Sequence, residues 1–226
     1  MRMRRIGLLS VCLVALIAGG CGRGKDLGQA KNTEPATVAT GGAPNIATQD
    51  AKDFIHHVAI VNMAEIELGK LAAQRGQTAE VKKFAQMMID DHTASGDRLR
   101  AVASEVKIEA PTQLDDKHVE LRDDLAKRQG ADFDREYVSA MVDGHKDLVE
   151  QLEPRIDKKT LELWKVQMNG HPTGATETAA ILPDPSNNPT TLRINQFAAG
   201  IYSTVRMHLD AATTLHRSLK KGSTTP

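Results

Sequence analysis

Residues 87–99 read MMIDDHTASGDRL, and residues 140–152 read AMVDGHKDLVEQL. Laid over each other in one register, Met88, Asp90, His92 and Leu99 fall on Met141, Asp143, His145 and Leu152. Each phrase continues an apolar series with steps of three and four residues. Val81, Phe84, Met88, Leu99, Val102 and Val106 form the first series; Phe133, Tyr137, Met141, Leu148 and Leu152 form the second. That period lines one face of an α-helix, and in both series a histidine fills the gap. Two long amphipathic helices with matched inward histidines are the starting point.

The neighbouring sequence supplies their ends. Thr78 is a sound N-cap for the helix that carries His92. Before it, a first helix from Asp50 to Arg75 bears Phe54, Val58, Val61, Leu68 and Ala72 and stops at Gly76. The helix of His145 begins at Asp132, after a shorter helical segment from Leu114 to Gln129, and meets Pro154 at its far end. Residues 158–189 read as a loop insertion, with NGHPTGATETAAILPDPSNNP at 169–189 rich in turn formers. A last helix starts at Asn188–Pro189, carries Phe197, Ile201, Val205 and Leu215, and ends in Lys220, Lys221 and Gly222.

Four long helices with one long connection, between the second and third, predict an all-α fold. The expected architecture is a ferritin-like, up-down-down-up four-helix bundle over residues 50–221, with 222–226 as a tail. Aromatic residues make up only 3% of the 226-residue chain, so the core must be built from Ala, Leu, Val and Met, which suits helices. Lys plus Arg and Asp plus Glu both number 29, leaving no basic excess to neutralise phosphates, which argues against nucleic acid as a partner.

Residues 1–20 read as an export signal. Arg2, Arg4 and Arg5 precede an apolar run, Ile6 to Ile17, that is too short to span a bilayer. Ala18-Gly19-Gly20-Cys21 resembles the lipobox of bacterial lipoproteins, which makes Cys21 the expected lipidated residue and the membrane an expected partner; the alternative is a plain secretory signal cut nearby. Gly22 after the cysteine fits sorting to the outer membrane, with the domain facing the periplasm. Cys12 leaves with the signal, so no disulfide framework is available. Residues 21–49, rich in Gly, Thr, Ala and Pro, read as a flexible tether spanning roughly 30 Å.

Carried through their gaps, the four apolar stripes place one polar residue each inside the bundle: Glu65, His92, His145 and His208. At about 1.5 Å per residue, the three histidines fall roughly 20 Å from one end, and Glu65 about one turn away, level with Met88. Three imidazoles at one height beside a carboxylate make a candidate transition-metal site. Met88 and Met141, one turn from His92 and His145, are candidate soft ligands, a set that favours copper, with zinc as the other choice. The competing reading is of buried histidines satisfied by ordinary hydrogen bonds. Asp90, Asp91, Asp143 and the pair His56-His57 are expected at the surface or the bundle's edge.

Several phrases also carry a family resemblance. MAEIELGKLA (63–72), VKKFAQ-x-M (81–88) with DHT (91–93), Tyr137-x-x-x-Met141-Val142-x-x-His145, and Phe197-Ala198-Ala199 with Val205-Arg206-x-His208-Leu209 resemble an uncharacterised family of exported bacterial proteins. That family is often labelled "predicted outer membrane protein". The resemblance covers about residues 50–157 and 190–219; it implies a ferritin-like bundle and no activity. Residues 158–189, including Trp164, depart from the family pattern. A di-iron centre needs a Glu three residues before two of its histidines, and Ile89, Val142 and Val205 stand there instead.

No nucleophile–base pair, phosphate loop or paired carboxylate at helical spacing appears, so catalysis would have to come from a metal. Three functions stay open: a tethered metal-binding bundle, a non-catalytic envelope protein that binds a partner, and a metal-dependent redox protein.

Overall fold

A computed structural model describes residues 46–170 and 180–222. The signal at 1–20, Cys21, the tether up to residue 45, the middle of the 158–189 segment and residues 223–226 lie outside the described residues. Six helices follow one another: α1 (Ile46–Arg75), α2 (Ala79–Glu105), α3 (Asp116–Ala126), α4 (Gly130–Leu152), α5 (Lys158–Gly170) and α6 (Pro189–Gly222), with one 3-10 turn at Glu153–Arg155. Among the described residues there is no strand, and no helix is long and apolar enough to cross a membrane. The chain is all-α and its long helices form a bundle.

Side-chain ties at the two ends fix the helix directions. The carboxylate of Asp134, fully buried near the start of α4, accepts from the backbone N–H of Gln77 and of Thr78 at 2.8 and 2.9 Å, just before α2. The Thr78 N–H is one of the donors that a helix start leaves unsatisfied, and the Gln77 N–H precedes it. α2 and α4 therefore start side by side and run parallel. At the opposite end, Arg193 at the start of α6 pairs with Glu105 at the end of α2, and Arg155 grips Asp50 near the start of α1 at 2.8 and 2.9 Å. α1 and α6 thus run against α2 and α4. Gly69 permits the tight packing of α1 on α2: a Cβ there would stand 3.0 Å from Ile89 and 3.2 Å from the carbonyl of Ala85.

Caps and stops act as the residues dictate. The Thr78 hydroxyl accepts from the N–H of Val81, and Asn188 accepts from Thr191 at 3.0 Å. α1 begins at Ile46, four residues inside the stretch read as tether, where buried Ala51 and the Gln49–Asp53 and Asp50–Arg155 contacts hold its first turns.

The loop read over 158–189 needs correction, because Lys158–Gly170 is helical. Asp157 accepts from the N–H of Thr160 at 2.9 Å, as an N-cap does, and Leu161 and Trp164 turn inward. Trp164 meets Tyr202 edge-on at 5.3 Å, so α5 packs against α6. The returning chain is clipped beside it by bonds from Asp157 N–H to Leu182 O and from Asp184 N–H to Arg155 O, both 2.9 Å.

The core falls into two apolar clusters. One holds Val58, Val61, Leu99, Leu148 and Val205; the other holds Leu68, Met88, Met141, Tyr137 and Ala212. On every long helix the residue between the two clusters is polar: Glu65, His92, His145 and His208. A thin polar layer divides an otherwise dry interior.

Candidate metal centre

Each residue of that layer is nearly sealed from solvent: Glu65 and His92 are 3% exposed, His208 1% and His145 0%. The three ring centroids form a triangle with sides of 5.3, 5.4 and 5.5 Å. One ring nitrogen from each lies within 4.8 Å of the other two, and among the described residues this is the group of metal-ligand type. Three imidazoles bound tetrahedrally at zinc–nitrogen distances of about 2.0–2.1 Å would place their centroids roughly 5 Å apart. The observed triangle has the size that one shared ion requires.

The carboxylate of Glu65 stands against the His92 and His145 corners. Oε2 is 2.6 Å from His92 Nε2, and Oε1 is 3.2 Å from His145 Nδ1. Its expected place, one turn off and level with Met88, is therefore revised. Side chains on a helix tilt toward the helix's own N-terminus, and α1 runs against α2, so Glu65 leans toward the His92 level.

Each imidazole is oriented from outside the triangle. His92 Nδ1 lies 2.8 Å from Asn62 Oδ1, His145 Nδ1 lies 2.8 Å from the carbonyl of Met141, and His208 Nε2 lies 2.8 Å from Asp91 Oδ2. All three partners are acceptors, and the tautomer with its proton on that nitrogen leaves the other nitrogen's lone pair free; at His92 the Glu65 carboxylate, 2.6 Å from Nε2, is a second acceptor. Those other nitrogens, His92 Nε2, His145 Nε2 and His208 Nδ1, are all buried and have no hydrogen-bond partner. Both oxygens of Glu65 are buried as well, with Oε2 standing 2.6 Å from His92 Nε2 and a bond to His92 among the influences that lower the Glu65 pKa. Outer acceptors that fix the tautomer, with unused lone pairs turned the other way, are how proteins present histidine to a metal.

Burial lowers the His145 pKa against the pull of Glu65, and burial also holds His208 down at about 4, although Asp91 raises it. Burial favours protonation of Glu65, but attraction to the protonated forms of His145 and His92, with a hydrogen bond from His92, outweighs it and leaves the group at about 2. A buried carboxylate and three buried imidazoles thus share one polar layer, and a proton or a cation between Glu65 and His92 offsets the cost of burying the charge. Tyr137, whose buried hydroxyl has no partner, is pushed up by burial and by the Glu65 charge.

The structure thus brings Glu65, His92, His145 and His208 together. Met88 and Met141 are 0% and 1% exposed and pack in the apolar cluster next to the layer; Met141 reaches the site through its backbone carbonyl. His56 is exposed, and His57 is half-buried in the cleft that Glu65 also lines. Two contributors escaped the sequence reading. Asn62 lies one turn before Glu65 on the same buried stripe, a signal that was available. Asp91, placed at the bundle's edge, sits on that edge and still reaches His208.

An all-helical bundle enclosing a buried three-histidine, one-carboxylate cluster is the class of molecule these observations define. The chain belongs to the family described as Domain of unknown function (DUF4142), whose profile matches residues 36–162, a stretch that contains Glu65, His92 and His145. Among solved structures, a DUF305 fragment from Deinococcus radiodurans is similar, with 12% sequence identity and a TM-score of 0.52, over 76% of this chain and 96% of that one. At that identity the likeness concerns the fold alone. No curated protein matches the chain.

Proposed function

We propose that this protein is a ferritin-like four-helix bundle, exported and tethered through a lipid on Cys21 to the outer membrane on its periplasmic side, that holds one transition-metal ion in its core. His92, His145 and His208 supply nitrogen and Glu65 supplies oxygen. The observation that carries this reading is the convergence of three buried imidazoles, each held by an acceptor outside the triangle, beside the buried Glu65 carboxylate, with the inner ring nitrogens left without a hydrogen-bond partner of good geometry. A set of three nitrogens and an oxygen is borderline in softness and suits zinc or copper(II). Met88 and Met141 stay in reserve as thioether ligands one turn away, the arrangement copper(I) would favour. Metal handling, rather than a reaction, is the role such a closed site fits.

The test is equilibrium dialysis of chelator-stripped, untagged protein against Zn²⁺ or Cu²⁺. One ion per chain is the expected content, lost when His92→Gln and His145→Gln are combined. Retained metal in that double variant would refute the assignment.

A second reading has its own observation, the 2.6 Å approach of Glu65 to His92, which a proton on the pair would make a structural ion pair. The protein would then be a non-catalytic envelope component whose surface binds a partner. It predicts metal-free protein and a double variant of unchanged behaviour in dialysis.

A further inference from the structure

We propose that a divalent cation reaches the core through the cleft between α1, α3 and α4. This rests on the metal-binding reading above and adds the route by which the site is filled. The cleft holds about 250 Å³, and Glu65 is among the residues that line it. Glu65 is 3% exposed and both its oxygens are buried, with Oε1 behind Gly144, so the cleft ends just outside the anionic group of the core.

The cleft's construction favours cation passage. At Gly144 an added Cβ would stand 3.2 Å from Glu65 Oε1, so glycine keeps this passage unfilled where α4 meets the carboxylate. Glu136, Asp143 and Asp147 of α4 line the walls, opposed by Lys117 and His118 of α3, with Lys146 3.5 Å from Asp143 at the exposed rim. Carboxylates of one sign in a walled cleft raise the local concentration of cations. His57 of α1 adds a ligand on the way: its Nε2 is buried and unpartnered, and burial keeps the ring uncharged.

A second cavity reaches the site from the other side, between α2 and α6, and it lacks these properties. It holds about 70 Å³ and touches His92 and His208. The guanidinium of Arg98 lines it, and its one carboxylate, Asp91, is already engaged by His208 Nε2. An approaching cation meets positive charge there.

The experiment is stopped-flow uptake of Zn²⁺ by the full, chelator-stripped chain, followed with a zinc-sensitive dye. Asp143→Asn combined with Asp147→Asn alters two exposed residues outside the proposed ligand set. This variant should take up zinc roughly 3–10-fold more slowly at low ionic strength. The gap should narrow as salt is added, with one ion still bound at equilibrium. Neutralising two exposed carboxylates remote from the cleft, Glu80→Gln with Asp210→Asn, should leave the rate unchanged, as should Arg98→Gln. Uptake at the wild-type rate in the Asp143/Asp147 variant, or equal slowing in the remote pair, overturns the route while the metal site stands. A wild-type protein that takes up no zinc overturns both.

Discussion

Zinc or copper(II) at a hundredfold excess over its dissociation constant raises the melting temperature of the stripped protein by about 5–10 °C. The size follows from mass action. A ligand that binds only the folded state adds about 2.7 kcal/mol at that excess. For a domain of this size each kcal/mol moves the midpoint by about 2–4 °C. Binding is tied to folding because the four donors come from four helices, α1, α2, α4 and α6, and meet only when the bundle is assembled. Differential scanning calorimetry with and without metal measures the shift. In the His92→Gln and His145→Gln double variant the shift should vanish, whatever that variant's own starting stability. An equal shift in wild type and variant would place the metal elsewhere on the chain.

Acid is expected to destabilise the metal-free protein by about 3 kcal/mol between near-neutral pH and pH 4 through His208 alone. His208 is 1% exposed, and its pKa in the folded state is about 4, against 6.5 for the free side chain. Asp91, His145, His92 and Glu65 are the titratable groups that act on it. As pH falls below 6.5 the unfolded chain takes up a proton on this residue and the folded chain does not, so stability drops until the folded pKa is passed. His145, also lowered by burial, adds to the loss in the same direction. Glu65 extends it further down: its folded pKa is depressed, so the stability it contributes is present above its ordinary value of 4.5 and fades toward about 2. Urea unfolding at the two pH values measures the difference. In His208→Gln the difference should shrink by about the His208 share, and an unchanged pH dependence in that variant would contradict the electrostatic account of the layer.

Much of this molecule was legible before any coordinates. Thr78, Gly76 and Asn188 sit at helix ends because their local chemistry decides, and local chemistry is what sequence displays. The stripes through Met88 and Met141 located His92 and His145 because a fixed period of 3.6 residues needs no knowledge of the neighbours.

What escaped depends on how helices meet. α5 is short, its inward face rests on Leu161 and Trp164, and it adjoins a Pro- and Gly-rich stretch, so two anchors were too few to mark a period. Asp91 lies about 100° around α2 from His92, and nothing within one helix tells that α6 brings His208 to that edge. Counting rise per residue misplaced Glu65 because it follows backbone height and ignores the lean of a long side chain.

The most direct test is anomalous X-ray diffraction from crystals grown with zinc or copper and collected at the metal's absorption edge. The account predicts one strong peak per chain inside the polar layer, within bonding distance of His92, His145 and His208 and beside Glu65. A polar layer without a peak, or metal found only on surface residues, would contradict it.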